Sequence, residues 1–333
     1  MQKQLLTIFT LCAFTFITTK NDAQNFSAGG GHSVFLCADG HVMNCGANVK
    51  GQLCVPGGGA DGGAHPVPMV ISGLTGVIAV SAGQNYSLFL KSDGTVWGSG
   101  DNNYSQLGVG TFADFYTHPV QITSLSNIVA IEAGWNHSLF LKNDGTVWAC
   151  GRNTFGQYGD GTTSVNYYPS QVHGPNDVGF LTGIVDIAAG EEHSVFLKND
   201  GTVWCSGKSG VGLFGMSYPY GEAHTPVRVD SLTDIIQVAA GLGSSLFLKN
   251  DGTVWGCGGN YGGFTNPGLS MSSLLSGIVA VSTGDRYSVF LKNDGTVWGT
   301  GYNNGSGQLG NGATTSATTP VMVAGLTDVV AID

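Results

Sequence analysis

Short apolar runs separated by glycine-containing turns recur along the chain from residue 28 onward. Within 133–151, an Ala-Gly pair is followed by the apolar run His137–Lys142, then by an Asn-Asp-Gly turn and by Thr-Val-Trp. A short Asp-Gly between two apolar runs is a strong hairpin signal, because glycine accepts the positive φ that the turn requires. The pattern therefore predicts two antiparallel strands joined by a tight turn.

Nearly the same segment occurs six times, at intervals of roughly 50 residues. Each copy opens with an Ala-Gly or Thr-Gly pair, and these pairs begin at Ala28, Ala82, Ala133, Ala189, Ala240 and Thr283. A phenylalanine recurs in the run that follows each pair, at Phe35, Phe89, Phe140, Phe196, Phe247 and Phe290. Such periodicity predicts a repeat architecture in which every copy forms the same supersecondary unit.

Two more strands complete each unit. One precedes the Ala-Gly pair, as at Ile128–Glu132, and the other is marked by a Pro-Val pair such as Pro119-Val120. Four short strands per repeat predict a β-propeller, whose blades are small antiparallel sheets around an axis. A β-solenoid or a string of small domains accounts less well for four strands and so much repeated aromatic packing. We therefore predict an all-β fold in which residues 25–333 form six four-stranded blades.

Three segments of the unit resemble the regulator of chromosome condensation repeat. These are Ala-Gly-x-x-His-Ser-Leu-x-Leu, Asp-Gly-x-Val-x-x-x-Gly and Asn-x-x-Gly-Gln-Leu-Gly, the last of which is clearest at 102–108 and 304–310. The resemblance covers essentially everything after residue 25. It implies a β-propeller, usually of seven blades.

The two ends of the repeat array differ. The first copy begins at Ala28 with almost nothing before it, whereas Thr327–Asp333 has the pattern of the strand that precedes Ala-Gly. We therefore expect Val329–Ile332 to pair into the first blade and close a six-bladed ring, which would remove an exposed sheet edge. The alternative is an incomplete seven-bladed propeller.

Residues 1–24 have a different composition from the repeats. Lys3 precedes an uncharged run at 4–19 that is dominated by Leu, Ile, Phe and Thr. This run is short for a membrane span, and its position suits a secretory signal peptide. We expect cleavage near Ala23 or Gln24. The mature chain would then be secreted or extracytoplasmic, without membrane insertion.

The net charge is −10 and only 10% of residues are charged. An acidic chain of this kind is poorly suited to nucleic acid or to an anionic membrane surface. Five lysines occupy one repeat position beside the hairpin, so no basic patch remains: Lys91, Lys142, Lys198, Lys249 and Lys292. We therefore expect no nucleic-acid partner.

The repeats differ mainly in two places. The pair of residues after Ala-Gly and the long segment after Thr-Val-Trp vary between copies, whereas the hairpin is nearly constant. The chain path places both variable parts on one face of the ring, the loop face, and the hairpins on the opposite hairpin face. Loops on a rigid scaffold often carry recognition, and aromatic residues suit a protein or sugar partner. The predicted binding residues are Trp135, Asn136, Gln84, Asn85, Glu191, Glu192, Asp285, Arg286, Tyr104 and Phe155.

Histidines and cysteines indicate packing more than chemistry. His32, His137 and His193 share one repeat position in separate blades, so we assign them a packing role and predict neither a metal site nor a cofactor. Cys45 and Cys54 are the only plausible disulfide pair, and export would permit it.

Together these features predict a monomeric, exported binding module that recognises a protein or a glycan and has no enzymatic activity. One alternative is a regulator of a small GTPase, because the nuclear members of the resembling family are guanine nucleotide exchange factors. This chain departs from those members by its signal peptide, its predicted six blades and its lack of a basic tail. The other alternative is a polysaccharide hydrolase or lyase, for which Glu191, Glu192 and Asp285 are the candidate acidic groups.

Overall fold

The computed structural model describes residues 26–55, 62–111, 113–209, 221–258, 270–271 and 275–333. These residues form six sheets of four strands each and one short 3-10 turn at Pro175–Asp177. The predicted signal peptide at residues 1–24 lies outside this part of the chain. No helix within the described ranges is long and apolar enough to cross a membrane.

Each sheet is one blade, and its four strands follow one another along the chain. Blade 1 consists of β1 (Phe26–Ala28), β2 (His32–Leu36), β3 (Val42–Ala47) and β4 (Ala64–Val70). Blade 2 consists of β5 (Val77–Ala82), β6 (Tyr86–Lys91), β7 (Val96–Asp101) and β8 (Phe115–Gln121). Blade 3 consists of β9 (Ile128–Ala133), β10 (His137–Lys142), β11 (Val147–Gly151) and β12 (Ser170–Gln171).

The second half of the ring repeats this order. Blade 4 consists of β13 (Ile184–Ala189), β14 (His193–Lys198), β15 (Val203–Lys208) and β16 (Glu222–Arg228). Blade 5 consists of β17 (Ile235–Ala240), β18 (Ser244–Lys249), β19 (Val254–Gly258) and β20 (Ser270–Met271). Blade 6 consists of β21 (Ile278–Thr283), β22 (Tyr287–Lys292), β23 (Val297–Gly301) and β24 (Ala317–Met322). The predicted all-β propeller of six four-stranded blades is confirmed.

The first strand of each blade lies innermost. First strands of neighbouring blades contact one another and line a central channel of about 1090 Å³. All strand pairs within a blade are antiparallel, as when Phe140 lies opposite Ile131 on one side and Trp148 on the other. Successive strands therefore run alternately toward the two faces of the ring.

The hydrophobic core lies between blades. The recurrent phenylalanine of each blade from the second to the sixth packs against the preceding blade, as Phe140 packs with Leu88, Leu90 and Val96 of blade 2. A blade is apolar on both sheet faces, so it can bury this surface only against its neighbours. Stacking around the ring therefore stabilises the fold as much as pairing within each sheet does.

The expected pairing of Val329–Ile332 into blade 1 is wrong. Blade 1 has its own first strand, because Phe26–Ala28 pairs with β2 and Phe26 lies opposite Phe35. The sequence Phe-Ser-Ala lacks the Ile-Val-x-Ile pattern of the other first strands, so the pattern did not reveal it. Three residues suffice to pair with the start of β2.

The segment Val329–Asp333 instead lies at the inner rim between blades 6 and 1. Val329 N donates to Gly295 O at 3.1 Å, as Ile128 N donates to Gly94 O at 3.1 Å where blade 3 follows blade 2. Asp333 Oδ2 accepts from Ala28 N at 2.9 Å. Ser27 Oγ accepts in the same way from Ala82 N at the next junction, at 3.1 Å. The segment thus occupies the place that a first strand takes at every other junction.

Cys45 and Cys54 are free thiols in the structure. Cys54 is buried, and burial raises the pKa of its thiol to about 12. The disulfide considered from the sequence therefore does not form in this structure.

Candidate functional site on the loop face

The strand order places the turn between first and second strands on the same face as the long segment between third and fourth strands. On this loop face, the turns of blades 1 to 4 are each held to the next blade by a backbone hydrogen bond. Gly30 N donates to Gly83 O at 3.1 Å, and Trp135 N donates to Gly190 O at 3.1 Å. The turns therefore form a rigid rim around the channel mouth, which suits preorganised recognition.

The Asn-x-x-Gly-Gln segment shapes the loop that follows each third strand. Asn153 Oδ1 accepts from Tyr158 N at 3.0 Å, and Gln157 Oε1 accepts from Phe155 N at 2.9 Å. In blade 2, Gln106 Oε1 accepts from Tyr104 N at 3.0 Å in the same way. Buried side chains thus fix the backbone on both sides of Tyr104 and Phe155, which occupy the second of the two variable positions of this segment.

Five side chains from three consecutive blades meet on this face, and we call them the loop-face cluster: Tyr104, Arg152, Phe155, Glu192 and Lys208. The Arg152 guanidinium carbon lies 5.9 Å from the Tyr104 ring centroid and 5.5 Å from the Phe155 centroid. Lys208 Nζ lies 4.6 Å from the Phe155 centroid. Both distances to Phe155 are within the range of cation–π attraction.

Glu192 links the two cations. Its Oε2 lies 2.5 Å from Lys208 Nζ and its Oε1 lies 3.5 Å from Arg152 Nη1. The Glu192 side chain is only 13% exposed, so its charge is shielded from water more than in an ordinary surface ion pair. An ion-pair network of this kind holds the two long cationic side chains over the rings.

Glu191 lies next to the cluster and experiences both signs of charge. Burial raises the pKa of the Glu191 carboxyl, and the Glu192 charge raises this pKa further. Lys208 and Arg152 act in the opposite direction and lower it. The rim at blade 4 therefore concentrates two carboxyl groups beside two cations.

The structure brings together only some of the predicted site residues. Tyr104, Phe155 and Glu192 belong to the loop-face cluster, and Glu191 adjoins it. Asp285 and Arg286 are exposed on blade 6 and pair with each other, with 3.6 Å between Asp285 Oδ1 and Arg286 Nε.

The other predicted site residues are wholly or partly buried in the turns of their blades. Trp135 and Gln84 are half-buried in their turns. Asn136 is buried, and its carbonyl accepts from Arg152 N at 2.8 Å. The Asn85 carbonyl accepts from Asp101 N at 2.9 Å in the same way. The Asn136 backbone therefore supports the cluster residue Arg152, whereas Asn85 supports Asp101, the equivalent residue of blade 2.

Arg152 and Lys208 were missed by the sequence analysis. Both directly follow the glycine at or near the end of the third strand, Gly151 in blade 3 and Gly207 in blade 4. The equivalent described residues are Ala47, Asp101 and Tyr302. The sequence could have indicated them, because the residue after this glycine differs between copies although the residues around it are repeated.

The three recurrent histidines are buried between blades. His137 Nε2 lies 3.0 Å from Ser194 Oγ of the next blade, and His193 Nε2 lies 2.9 Å from Ser245 Oγ. His32 makes the same contact with Ser87 at 2.9 Å. No group of three or more His, Cys, Asp or Glu side chains that could hold a metal ion occurs in the described part of the chain.

Family models for the Regulator of chromosome condensation (RCC1) repeat match most of the array. One model matches residues 77–106, 128–157, 184–212, 235–263 and 278–308, and a second matches 93–141 and 144–197. The chain belongs to the RCC1 repeat family. Every matched segment contains the Asp-Gly hairpin or the variable turn described above.

Curated relatives of this RCC1-repeat chain include the probable E3 ubiquitin-protein ligase HERC6 of Homo sapiens. The two are 32% identical over 246 residues, which is 71% of this chain and 23% of HERC6. The E3 ubiquitin-protein ligase HERC2 of Homo sapiens is 32% identical over 202 residues, 58% of this chain and 4% of HERC2. The chain thus spans less than a quarter of the length of these two relatives.

Solved structures show the same fold. Human WBSCR16 superposes with a TM-score of 0.79 at 21% identity, covering 92% of this chain and 83% of WBSCR16. Yeast RCC1 (Prp20), solved with Kap60, gives a TM-score of 0.75 at 21% identity, covering 90% of this chain and 74% of that one.

Our expectation of no enzymatic activity is wrong. The relatives HERC6, HERC4 and HERC2 are named E3 ubiquitin-protein ligases. The matched part of each relative is its RCC1 repeat region, and the match does not include its catalytic domain. RCC1 repeats therefore occur in proteins that are named as enzymes. The catalytic domain of those proteins lies outside the part that matches this chain.

Proposed function

We propose that this RCC1-repeat propeller binds a protein partner through the loop-face cluster. The observation that carries the proposal is the stacking of Arg152 and Lys208 on Phe155, with Arg152 also near Tyr104, on a rigid rim. Arginine and tyrosine are enriched among the residues that contribute most to protein–protein binding. Because the rim is held by backbone hydrogen bonds, little conformational entropy is lost on association.

The geometry favours a protein over a glycan. A sugar stacks its C–H groups on an open aromatic ring, whereas the Phe155 ring has two cations within 5.5 Å of its centroid. A sugar would have to displace Arg152 or Lys208, both of which are also paired with Glu192. A protein can instead contact the cations, the ring edges and the exposed Tyr104 together.

Proteins of this fold offer a compatible precedent. Yeast Prp20 has been solved bound to Kap60, and a further structure of it was described together with its binding properties to Gsp1p and histones. Those partners belong to Prp20, and 21% identity does not carry them to this chain. Export of the chain, as expected from residues 1–24, stays a prediction of the sequence.

The test is affinity capture with the chain as bait, using extracts of its source, followed by identification of bound proteins. The variant Arg152→Ala/Lys208→Ala removes both cations from the cluster. The matched control is Lys142→Ala/Lys198→Ala, which removes two cations from the same blades but on the hairpin face, where they stack on Trp148 and Trp204. Both variants lower the net charge equally.

We expect the loop-face variant to retain a specific partner at least about tenfold less than the unmodified chain, which corresponds to about 1.4 kcal/mol. The control should retain it within about twofold. Equal retention by both variants, or loss by the hairpin-face control alone, would contradict the assignment to the loop face. Capture of glycan-bearing material that survives protein digestion would favour the glycan alternative.

A further inference from the structure

The central channel of the ring has an unequal charge distribution. Its volume is about 1090 Å³, and its described lining includes three carboxyl groups but one cation: Glu132, Asp186 and Asp333 against Lys198. Lys198 Nζ stacks on the Trp204 ring, 5.7 Å from the ring centroid, at the hairpin face. The interior of the channel therefore carries an excess of negative charge.

The carboxyl groups lie at different depths of the channel. β9 and β13 both run from the hairpin face toward the loop face, and Glu132 is the fifth residue of its strand whereas Asp186 is the third. Two residues of a strand span about 7 Å, so these two groups are staggered along the channel. Glu191 and Asp285 continue the series at the loop-face mouth, in the turns of blades 4 and 6. A cation that enters from the loop face therefore meets one carboxyl group after another.

Asp186 is held in place by backbone donors. Its Oδ2 accepts from Val238 N at 3.1 Å, and its Oδ1 accepts from Ile187 N at 3.0 Å. Burial raises the pKa of the Asp186 carboxyl to about 6, because the two N–H groups lower this pKa by less than burial raises it. A cation placed beside this carboxyl would favour its charged form.

The carboxyl groups at the mouth repel one another. Burial raises the pKa of the Glu191 carboxyl, and the charges of Glu192 and Asp285 raise it further, while the cations of the loop-face cluster lower it. Asp285 stands two blades away from Glu191 along the ring, and Arg286 Nε lies 3.6 Å from Asp285 Oδ1. A bound cation between Glu191 and Asp285 would relieve the repulsion between them.

Apolar side chains form another part of the channel wall. Val185, Ile236 and Val279 occupy the second position of their first strands, line the channel and are 52% to 55% exposed. No group of three or more possible metal ligands occurs in the described part of the chain, so the carboxyl groups suit an extended cation better than a metal ion. A lysine side chain is of this kind, because its aliphatic stem can lie along apolar surface while its ammonium group is paired elsewhere.

We propose that the channel binds, from the loop face, lysine side chains presented by a protein partner. The ammonium groups would pair with Glu191, Glu132 and Asp186, and the stems would lie against Val185 and Ile236. A cleft lined by one sign of charge focuses the electric field and raises the local concentration of the opposite charge. This site is separate from the loop-face cluster, so it goes beyond the proposed function and adds a second means of recognition.

The probe is a fluorescein-labelled peptide, Gly-Lys-Gly-Lys-Gly-Lys-Gly, whose binding to the chain is measured by fluorescence anisotropy at low salt. A second peptide with acetylated lysines keeps the stems but lacks the charges. The chain variant Glu132→Gln/Asp186→Asn removes two channel charges with little change in shape. An amide suits the position of Asp186, because Gln237, its equivalent in blade 5, accepts from Val281 N at 3.1 Å through its amide oxygen.

The matched control is Asp177→Asn/Asp230→Asn, which removes two charges outside the channel from side chains that are 63% and 85% exposed. We expect the channel variant to bind the lysine peptide at least about tenfold more weakly than the unmodified chain, and the control to bind it within about twofold. Glu132→Gln alone should show a smaller loss in the same direction, and its fold is safe because alanine occupies this position in blades 4 and 5. The acetylated peptide should bind the unmodified chain at least about tenfold more weakly.

The loop-face variant Arg152→Ala/Lys208→Ala should bind the lysine peptide at least as well as the unmodified chain, which separates this proposal from the proposed function. An equal loss in the channel variant and its control would indicate diffuse attraction to an acidic chain and would overturn the proposal. Equal binding of the acetylated peptide, or no saturable binding of the lysine peptide at about 1 mM, would also overturn it. Tighter binding of spermidine than of the peptide would assign the channel to a free polyamine instead of a protein.

Discussion

The glycine of the Ala-Gly pair lies close to two neighbours, a backbone carbonyl of the next blade and a buried ring of its own blade. A Cβ added at Gly134 would lie 2.6 Å from Gly190 O of the next blade and 2.8 Å from His137 Cε1. Gly190 faces the same pair of contacts, with Gly241 O at 2.7 Å and His193 Cε1 at 2.4 Å. The repeated glycine therefore reflects the close approach of neighbouring turns and of a buried ring.

The buried histidines connect blades only when they are neutral. Burial lowers the pKa of His32 and His193 to about 4 and that of His137 to about 3. Each Nε2 lies within hydrogen-bond distance of a serine hydroxyl in the next blade. Tyr86 takes the histidine position in blade 2 and reaches blade 3 instead by donating to His137 O at 2.6 Å.

We predict that the free energy of unfolding falls as the pH is lowered below 6.5, the ordinary histidine pKa. The stability that these neutral rings contribute is fully present above pH 6.5 and is lost toward pH 4, because only the unfolded chain takes up the protons. The loss between pH 7 and pH 5 should be about 2 kcal/mol for each histidine. Urea unfolding at the two pH values measures it.

His137→Tyr provides the control for this prediction. Tyrosine already occupies the position at Tyr86 and Tyr287, and it does not titrate in this range. The pH-dependent loss should therefore be smaller in the variant by about 2 kcal/mol, while all other groups titrate equally in both proteins. An unchanged pH dependence would show that His137 is not protonated on unfolding.

At the scale of elements, the hairpin and the loop of each blade have different sequence requirements. In the hairpin, Asp144 Oδ1 accepts from Thr146 N at 3.0 Å and from its hydroxyl at 2.6 Å, and these bonds lower the pKa of Asp144. Lys142 Nζ lies 4.9 Å from the Trp148 ring centroid. Local contacts thus use nearly every hairpin side chain, which explains why the hairpin face is uniform and the loop face is not.

We predict that Gln157→Ala weakens both stability and partner binding. The change leaves Phe155 N without the acceptor that Gln157 Oε1 provides inside a buried loop. Loss of one buried hydrogen bond should cost about 1–3 kcal/mol, and the backbone that presents Phe155 should loosen. Urea unfolding and the capture assay described above measure the two effects.

Thr163→Ala is the matched control, since Thr163 is exposed in the same loop. Its free energy of unfolding should stay within about 0.5 kcal/mol of the unmodified chain. If Gln157→Ala loses stability but retains the partner fully, the loop geometry at Phe155 does not matter for recognition.

At the scale of the whole molecule, each blade is stabilised by its neighbours. Blades 2 to 5 have a complete blade on both sides, whereas blades 1 and 6 lie on either side of Val329–Asp333, which belongs to none of the described sheets. In an array of this kind, stability is approximately the sum of the repeat terms and the interfaces between nearest neighbours. Blades 1 and 6 each lack one complete interface and should open more readily than the others.

Hydrogen exchange measured by mass spectrometry tests this expectation. Amides of β2 and β22, the second strands of blades 1 and 6, should exchange faster than those of β10 and β14, the second strands of blades 3 and 4. The physical reason is that local opening requires fewer buried contacts to be broken there. Uniform protection of all four strands would show that the ring opens only as a whole.

Much of the fold followed from local signals. The Asp-Gly hairpins, the recurrent phenylalanine and the Ala-Gly pairs predicted the strands, the blade count and the two faces correctly. The first strand of blade 1 could not be recognised, because it has Phe26 where its equivalents have valine or isoleucine, and only Ala28 is shared with most of them. Of the candidate site, Tyr104, Phe155 and Glu192 were found, whereas Arg152 and Lys208 were not.

The hairpins and the recurrent strands could be predicted from the sequence, since turn chemistry and strand alternation act over a few residues. Which variable residues from different blades meet depends on the tertiary structure. Tyr104 and Glu192 are 88 positions apart in the chain, and both reach Arg152 because their blades are stacked around one axis. The same stacking decided that Val329–Asp333 takes the place of a first strand while pairing with no strand in the described part of the chain. Contacts between blades depend on how the blades stack around the common axis, which no single repeat encodes.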